Sequence, residues 1–143
     1  MNKSNGVCKI CLVEEETLCH LLYNCSHIAP LWLKIQNLLT ELTNIETNLT
    51  LDVIITGLRC NDNNENNFLI PFFNLFIHFT KWTLWKHRND IKYGNGIKKS
   101  CDILFDETVN ACKIHVNTVL SSKIALKKSF KCRDMLELFK NQY

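Results

Sequence analysis

Apolar residues recur along this chain at helical rather than strand spacing. Ile28, Leu31, Trp32, Ile35, Leu38, Leu39 and Leu42 fall three and four apart, the period that gathers side chains on one helix face. This predicts a helix over residues 28–42, with Pro30 in its first turn, where a missing N–H costs nothing. Residues 43–50 carry little apolar content and read as a loop. Residues 51–58 read as a short helix, with Asp52 near its start and Gly57 near its end. The polar run CNDNNENN at residues 60–67 reads as an exposed connection. Residues 68–91 form the longest element. Phe68, Phe72, Leu75, Phe76, Phe79 and Trp82 mark one stripe, and Phe73, Ile77 and Leu84 a second, so this helix should lie among others. Pro71 belongs to its first turn or kinks it, and Gly94 and Gly96 flank a stop at Asn95. Ile103, Leu104, Val109, Ile114, Val116, Val119 and Leu120 predict a further helix of roughly 20 residues. Residues 123–140 predict one or two more, with Leu126, Phe130, Met135, Leu136 and Phe139 inward. No alternating strand pattern is present, so the fold class expected is all-α beyond the first 25 residues.

The length, 143 residues, suits one domain. We expect a knuckle over residues 1–32 and a bundle of four to five helices over residues 33–143, packed as one unit. The most apolar stretch, residues 68–85, is broken by Asn74, His78, Thr80, Lys81 and Thr83, which suits a buried helix rather than a membrane span. The N-terminus lacks the apolar segment of a secretory signal. The expected location is therefore intracellular, nuclear or cytoplasmic, where thiols stay reduced. The eight cysteines then point to metal ligands or core residues rather than to bridges.

Three of them form a pattern with a histidine. Residues 8–25 read CKICLVEEETLCHLLYNC, which is C-x2-C-x8-H-x4-C through Cys8, Cys11, His20 and Cys25. A structural Zn²⁺ takes four N/S ligands in a tetrahedron, and a CxxC turn supplies two thiolates from one local element. A helix over residues 17–23 would present His20. Five α-helical steps carry Cys25 about 140° round from it, so Cys25 should lie past the helix end, with Asn24 as a left-handed terminal residue. Cys19 and His27 compete with His20 for the fourth position. Cys60, Cys101, Cys112 and Cys132 have no spacing for a second site and read as small apolar or incidental surface residues.

These residues carry a resemblance. Cys8-x2-Cys11, Glu16-Thr17, His20-Leu21-Leu22, Cys25 and Leu31-Trp32 resemble the reverse-transcriptase zinc-binding domain near the C-terminus of non-LTR (LINE-type) retrotransposon polyproteins. Residues 81–89, KWTLWKHRN, resemble the W-x-x-W-K-x-R-N helix that follows in those proteins. The resemblance implies one structural zinc, RNA or DNA as partner and association with a reverse-transcriptase domain or other parts of a retroelement complex. The family's polymerase activity is not implied here, because the chain carries no Tyr/Phe-x-Asp-Asp motif. Met1 stands seven residues before Cys8, so a fragment or a free-standing module is expected.

Charge adds to this picture. The formal total of +3 hides a net −4 over residues 1–70 and a net +7 over residues 71–143. Such asymmetry suggests a surface that faces a polyanion. Lys81, Trp85, Arg88 and Lys92 share one helical stripe, Lys98 and Lys99 follow, and Lys123, Lys127, Lys128, Lys131 and Arg133 cluster without an acidic residue. Cations at this density neutralise phosphates and an exposed Trp stacks on bases. Trp82 is expected in the core, Lys86 and Asp90 as a surface ion pair, and His78, His87 and His115 in packing or surface roles. Phosphate loops, nucleophile elbows and metal-hydrolase helices are missing, and a zinc with four protein ligands has no open position. We therefore expect a non-catalytic zinc and nucleic-acid-binding accessory domain. The alternative is a zinc-stabilised protein-interaction module.

Overall fold

The computed structural model describes residues 6–60, 65–94 and 96–121, together with 137, 139 and 141. The first long helix, α1 (Ala29–Thr43), forms where the periodicity places it and buries Leu31, Trp32, Ile35, Leu38, Leu39 and Leu42. Pro30 occupies its first turn. It stops at Asn44, which turns left-handed at φ 54° and donates its N–H to the Thr40 carbonyl over 2.8 Å. Asn tolerates that conformation better than most residues. Gln36 then reaches over to accept the Leu49 N–H (3.0 Å), so α1 itself pins the loop that follows.

The next helix, α2 (Leu51–Thr56), is shorter than expected. The Thr50 hydroxyl accepts from the Val53 N–H at its start, and Asp52 complements its N-terminal dipole. Gly57 ends it at φ 80°, where a side chain is strained. The Asn74 amide clamps the exit by bonding both the N–H (2.8 Å) and the carbonyl (3.0 Å) of Leu58. A 3-10 turn (Glu65–Leu69) leads into α3 (Ile70–Tyr93), with Pro71 in the first turn as expected.

Helix α3 packs on α4 (Cys101–Ser121), and α1 packs on α4 as well. The turn between α3 and α4 depends on Gly96, because a Cβ there would stand 2.5 Å from the Asp90 carbonyl carbon. No helix among the described residues is long and apolar enough to cross a membrane. Strands are also missing among them; Val7 and Glu15 form only an isolated antiparallel bridge.

The buried face of α3 differs from the stripe expected. It comprises Phe72, Phe73, Phe76, Ile77, Thr80, Thr83, Leu84, His87 and Arg88. Trp82, expected inside, is 51% exposed. Helix rotation places the threonines inward instead. Small hydroxyl residues are tolerated there because they can bond their own helix: Thr80 Oγ1 donates to the Phe76 carbonyl (2.7 Å), and Thr108 in α4 does the same to Leu104 (2.9 Å). Phe76 meets Phe72 and Phe139 edge-on, both at 5.2 Å between centroids. Phe139 is thus inward as expected, whereas Leu126, Phe130, Met135 and Leu136 lie outside the described residues. His87 is 1% exposed, and neither ring nitrogen has a hydrogen-bond partner among the described residues. Burial lowers its pKa, the charges of Lys99 and His27 lower it further, and Glu107 and Asp90 act the other way.

Candidate metal centre

The chain doubles back over residues 6–16. Cys8 N–H bonds the Glu14 carbonyl (2.8 Å), Glu16 N–H bonds the Gly6 carbonyl (2.6 Å), and Leu12 N–H closes onto Cys8 (2.9 Å). Leu12 takes a left-handed φ of 60°, which turns the backbone just past the CxxC. These local bonds bring Cys8 and Cys11 side by side. Thr17 then caps the following turn, its Oγ1 accepting from the His20 N–H at 3.0 Å.

His20–Asn24 form a π-helical turn rather than an α-helical one. The Cys25 N–H bonds the His20 carbonyl, five residues back, at 2.9 Å. This wider turn stacks residues five apart, so the x4 spacing brings Cys25 beside His20 without a left-handed exit. The expectation for Asn24 is therefore corrected: among the described non-glycine residues only Leu12 and Asn44 have positive φ.

The ligand atoms of Cys8, Cys11, His20 and Cys25 all lie within 4.8 Å of one another. Three thiols and one imidazole, mostly buried, can hold one metal ion. Cys11 Sγ stands 3.3 Å from His20 Nε2. On the far side of the ring, Glu14 Oε2 approaches His20 Nδ1 at 3.2 Å, though without the alignment of a formed hydrogen bond. A carboxylate behind a ligating imidazole orients the ring and raises its basicity. The competitors for the fourth position are placed elsewhere: Cys19 is outside the group, and His27 donates Nε2–H to the Lys99 carbonyl at 3.0 Å.

The thiols are electrostatically unequal. Burial raises Cys11, but the backbone N–H groups of Glu14 and Val13, with His20 and Cys8, outweigh it and bring the thiol down to about 6. Burial pushes Cys25 up to about 12, with Cys8 and Cys11 adding to the rise.

Three ties fasten this knuckle to the helices. Trp32 Nε1 donates to the Leu22 carbonyl (2.6 Å), and Cys101 Sγ to the His27 carbonyl (2.9 Å). The third joins Arg88 to Glu16: Nε and one terminal nitrogen both donate to Glu16 Oε1, the first at 3.0 Å. Both side chains are largely buried. The Arg88 hydrogen bonds hold Glu16 below the ordinary carboxylate range, and burial opposes this. Sequence reasoning gave Glu14, Glu16 and Thr17 no structural role. Only the membership of Glu16 and Thr17 in a family-like motif pointed to them.

The basic residues divide. Arg88 is 8% exposed and committed to Glu16 and to Asn89 Oδ1, so it is not an open contact cation. Lys99 is engaged by Glu107 at 2.6 Å. Trp85, Lys86, Lys92 and Lys98 are exposed and Lys81 is half-buried. The expected Lys86–Asp90 pair is not among the ion pairs of the described residues. Lys123, Lys127, Lys128, Lys131 and Arg133 lie outside the described residues. Of the remaining cysteines, Cys112 is a buried thiol that burial pushes up to about 12, Cys60 is exposed and Cys132 lies outside the described residues. Comparison of the chain with family models, curated proteins and solved structures finds no match in any of the three.

Proposed function

We propose that the chain is a zinc-stabilised, non-catalytic accessory domain that binds nucleic acid, in the manner implied by its resemblance to the reverse-transcriptase zinc-binding domain. The Glu16–Arg88 tie carries this reading. Glu16 belongs to the knuckle motif and Arg88 to the W-x-x-W-K-x-R-N helix, 72 residues apart. That they meet in a largely buried ion pair gives the two motifs one physical reason to occur together.

Three thiolates and one imidazole suit Zn²⁺. Sulfurs around such an ion stand about 3.8 Å apart, and the four ligand atoms here already lie within 4.8 Å of one another. Zinc supplies folding energy in such sites. Four protein donors leave no open position for catalysis. Lys81, Lys86, Lys92 and Lys98 supply cations for phosphates, with the lysines beyond residue 121 adding to them.

Two measurements test the proposal. Elemental analysis of the purified chain should give one zinc, and a metal-free protein that remains folded would refute that part. Binding to mixed RNA and DNA should weaken steeply from roughly 50 to 200 mM salt. It should also weaken when Lys127, Lys128 and Lys131 are neutralised together. No binding at low salt would leave a protein-interaction module as the better reading. The exposed Leu12, Val13 and Leu18 on the knuckle favour that second reading.

A further inference from the structure

The C-terminal half of α3 exposes three large aromatic residues beside its lysines. Trp82 and Trp85 are 51% and 44% exposed, and Tyr93 at the helix end is 73% exposed. The rings are not loosely placed. The Arg88 guanidinium stands 5.6 Å from the Trp85 ring centroid and 5.7 Å from that of Tyr93. Arg88 is itself held by Glu16 and by Asn89. Lys92 Nζ lies 5.2 Å from the Tyr93 ring. A buried ion pair therefore orders one cation, and that cation orders two exposed rings.

The surrounding charge selects the partner. Lys81, Lys86 and Lys92 make no ion pair among the described residues, and Glu16, facing this end from the knuckle, is already neutralised by Arg88. Asp90 is the exposed carboxylate on this stretch of α3. A partner that fits offers both negative charge and flat apolar rings. Within a duplex the base faces are already stacked on one another, so open rings gain little from it. In a single strand each base has a face to give, whatever its identity.

We infer that Trp85 and Tyr93, ordered around Arg88, form a stacking platform for single-stranded nucleic acid, with Lys86 and Lys92 contacting its phosphates. The inference rests on the nucleic-acid reading above and deepens it by naming the strand form. Because stacking is tolerant of sequence, the platform takes unpaired bases without strong base preference. Fixed rings lose little freedom on binding, which favours affinity.

The test uses the full zinc-loaded chain with labelled oligo(dT) and oligo(rU) of about 16 nucleotides, and a mixed-sequence duplex of equal length. Anisotropy should show the single strands bound at least about 10-fold more tightly than the duplex. They should also quench tryptophan fluorescence. Trp85→Ala and Tyr93→Ala should each weaken single-strand binding by about 5- to 100-fold and leave duplex binding unchanged. Trp85→Phe, which keeps a stacking face, should retain most of the affinity. Unchanged zinc content and circular dichroism establish that the variants are folded. Equal affinity for duplex and single strand, insensitive to Trp85→Ala, overturns the platform while leaving nucleic-acid binding standing. No binding of any probe overturns both.

Discussion

The knuckle and the α3–α4 pair reach order by different routes. Over residues 6–25 the backbone is tied by a few hydrogen bonds, and Leu12, Val13 and Leu18 face outward. What converges there is a set of ligand atoms. In α3 and α4 the interior is aromatic and aliphatic, with Phe76, Ile77, Leu84 and Leu104 at 2% exposure or less. Burial of that kind stabilises by roughly 1.5–3 kcal/mol per large side chain and needs no ion. The knuckle buries Ile10, Leu21 and Leu22 but leaves Leu12, Val13 and Leu18 outside, so its stability should depend on the metal more than that of the helices does.

The most severe way to break this contrast is Cys25→Ser. We expect bound metal to fall from one ion to none, with a loss on the order of 10 kcal/mol of metal-coupled folding energy in the knuckle. Hydrogen exchange should show residues 8–25 unprotected while α3 and α4 keep their protection. Global unfolding of the helices would abolish the distinction. The reciprocal change, Phe76→Ala, should destabilise the helices by about 3–5 kcal/mol in denaturant titration. One equivalent of metal should still bind under native conditions.

Glu16→Gln sharpens the comparison, because it strikes the joint between the two regions. It leaves the Arg88 guanidinium largely buried without its counter-charge, at a cost of about 3 kcal/mol. The carboxylate's folded pKa is depressed, so its stabilisation is complete above the ordinary carboxylate range and is lost as pH falls through the depressed value. The wild-type acid limb should therefore flatten in Glu16→Gln, as read from thermal midpoints against pH.

The smallest effect belongs to His87. Its folded pKa lies below 6.5, so between that lowered value and about 6.5 the unfolded chain binds more protons than the folded one. Stability then falls as pH drops through this window. His87→Leu should remove that slope, and should change stability at pH 7.5 by no more than about 1 kcal/mol, because no hydrogen bond is lost. A persistent slope in the variant would assign the effect to other groups.

Much of this was legible in the chain itself. Cys8, Cys11, His20 and Cys25 are within 17 residues of one another in sequence, so their spacing carried the donor set. The boundaries of α1 and the position of Pro71 followed from periodicity and from proline's missing donor. The failures were equally physical. The π turn escaped because the 140° argument assumed α-helical rotation, and nothing in HLLYN announces an i to i+5 bond. Trp82 is expected inside because apolarity is read as burial, whereas Thr80 can face inward by bonding within its own helix.

Local properties, then, were determined by sequence alone: the CxxC and the downstream Cys/His donors, the start and end of α1, and how charge divides between the two halves. Spacing and capping act over a handful of residues, and their physics does not require knowing what packs above. The tertiary structure chose the rotation of α3 about its axis. That rotation turned Arg88 from a surface cation into the partner of Glu16 and left Trp85 open to solvent. The pairing spans 72 residues, and its energy depends on mutual burial, a quantity that exists only once the knuckle and the helix have met.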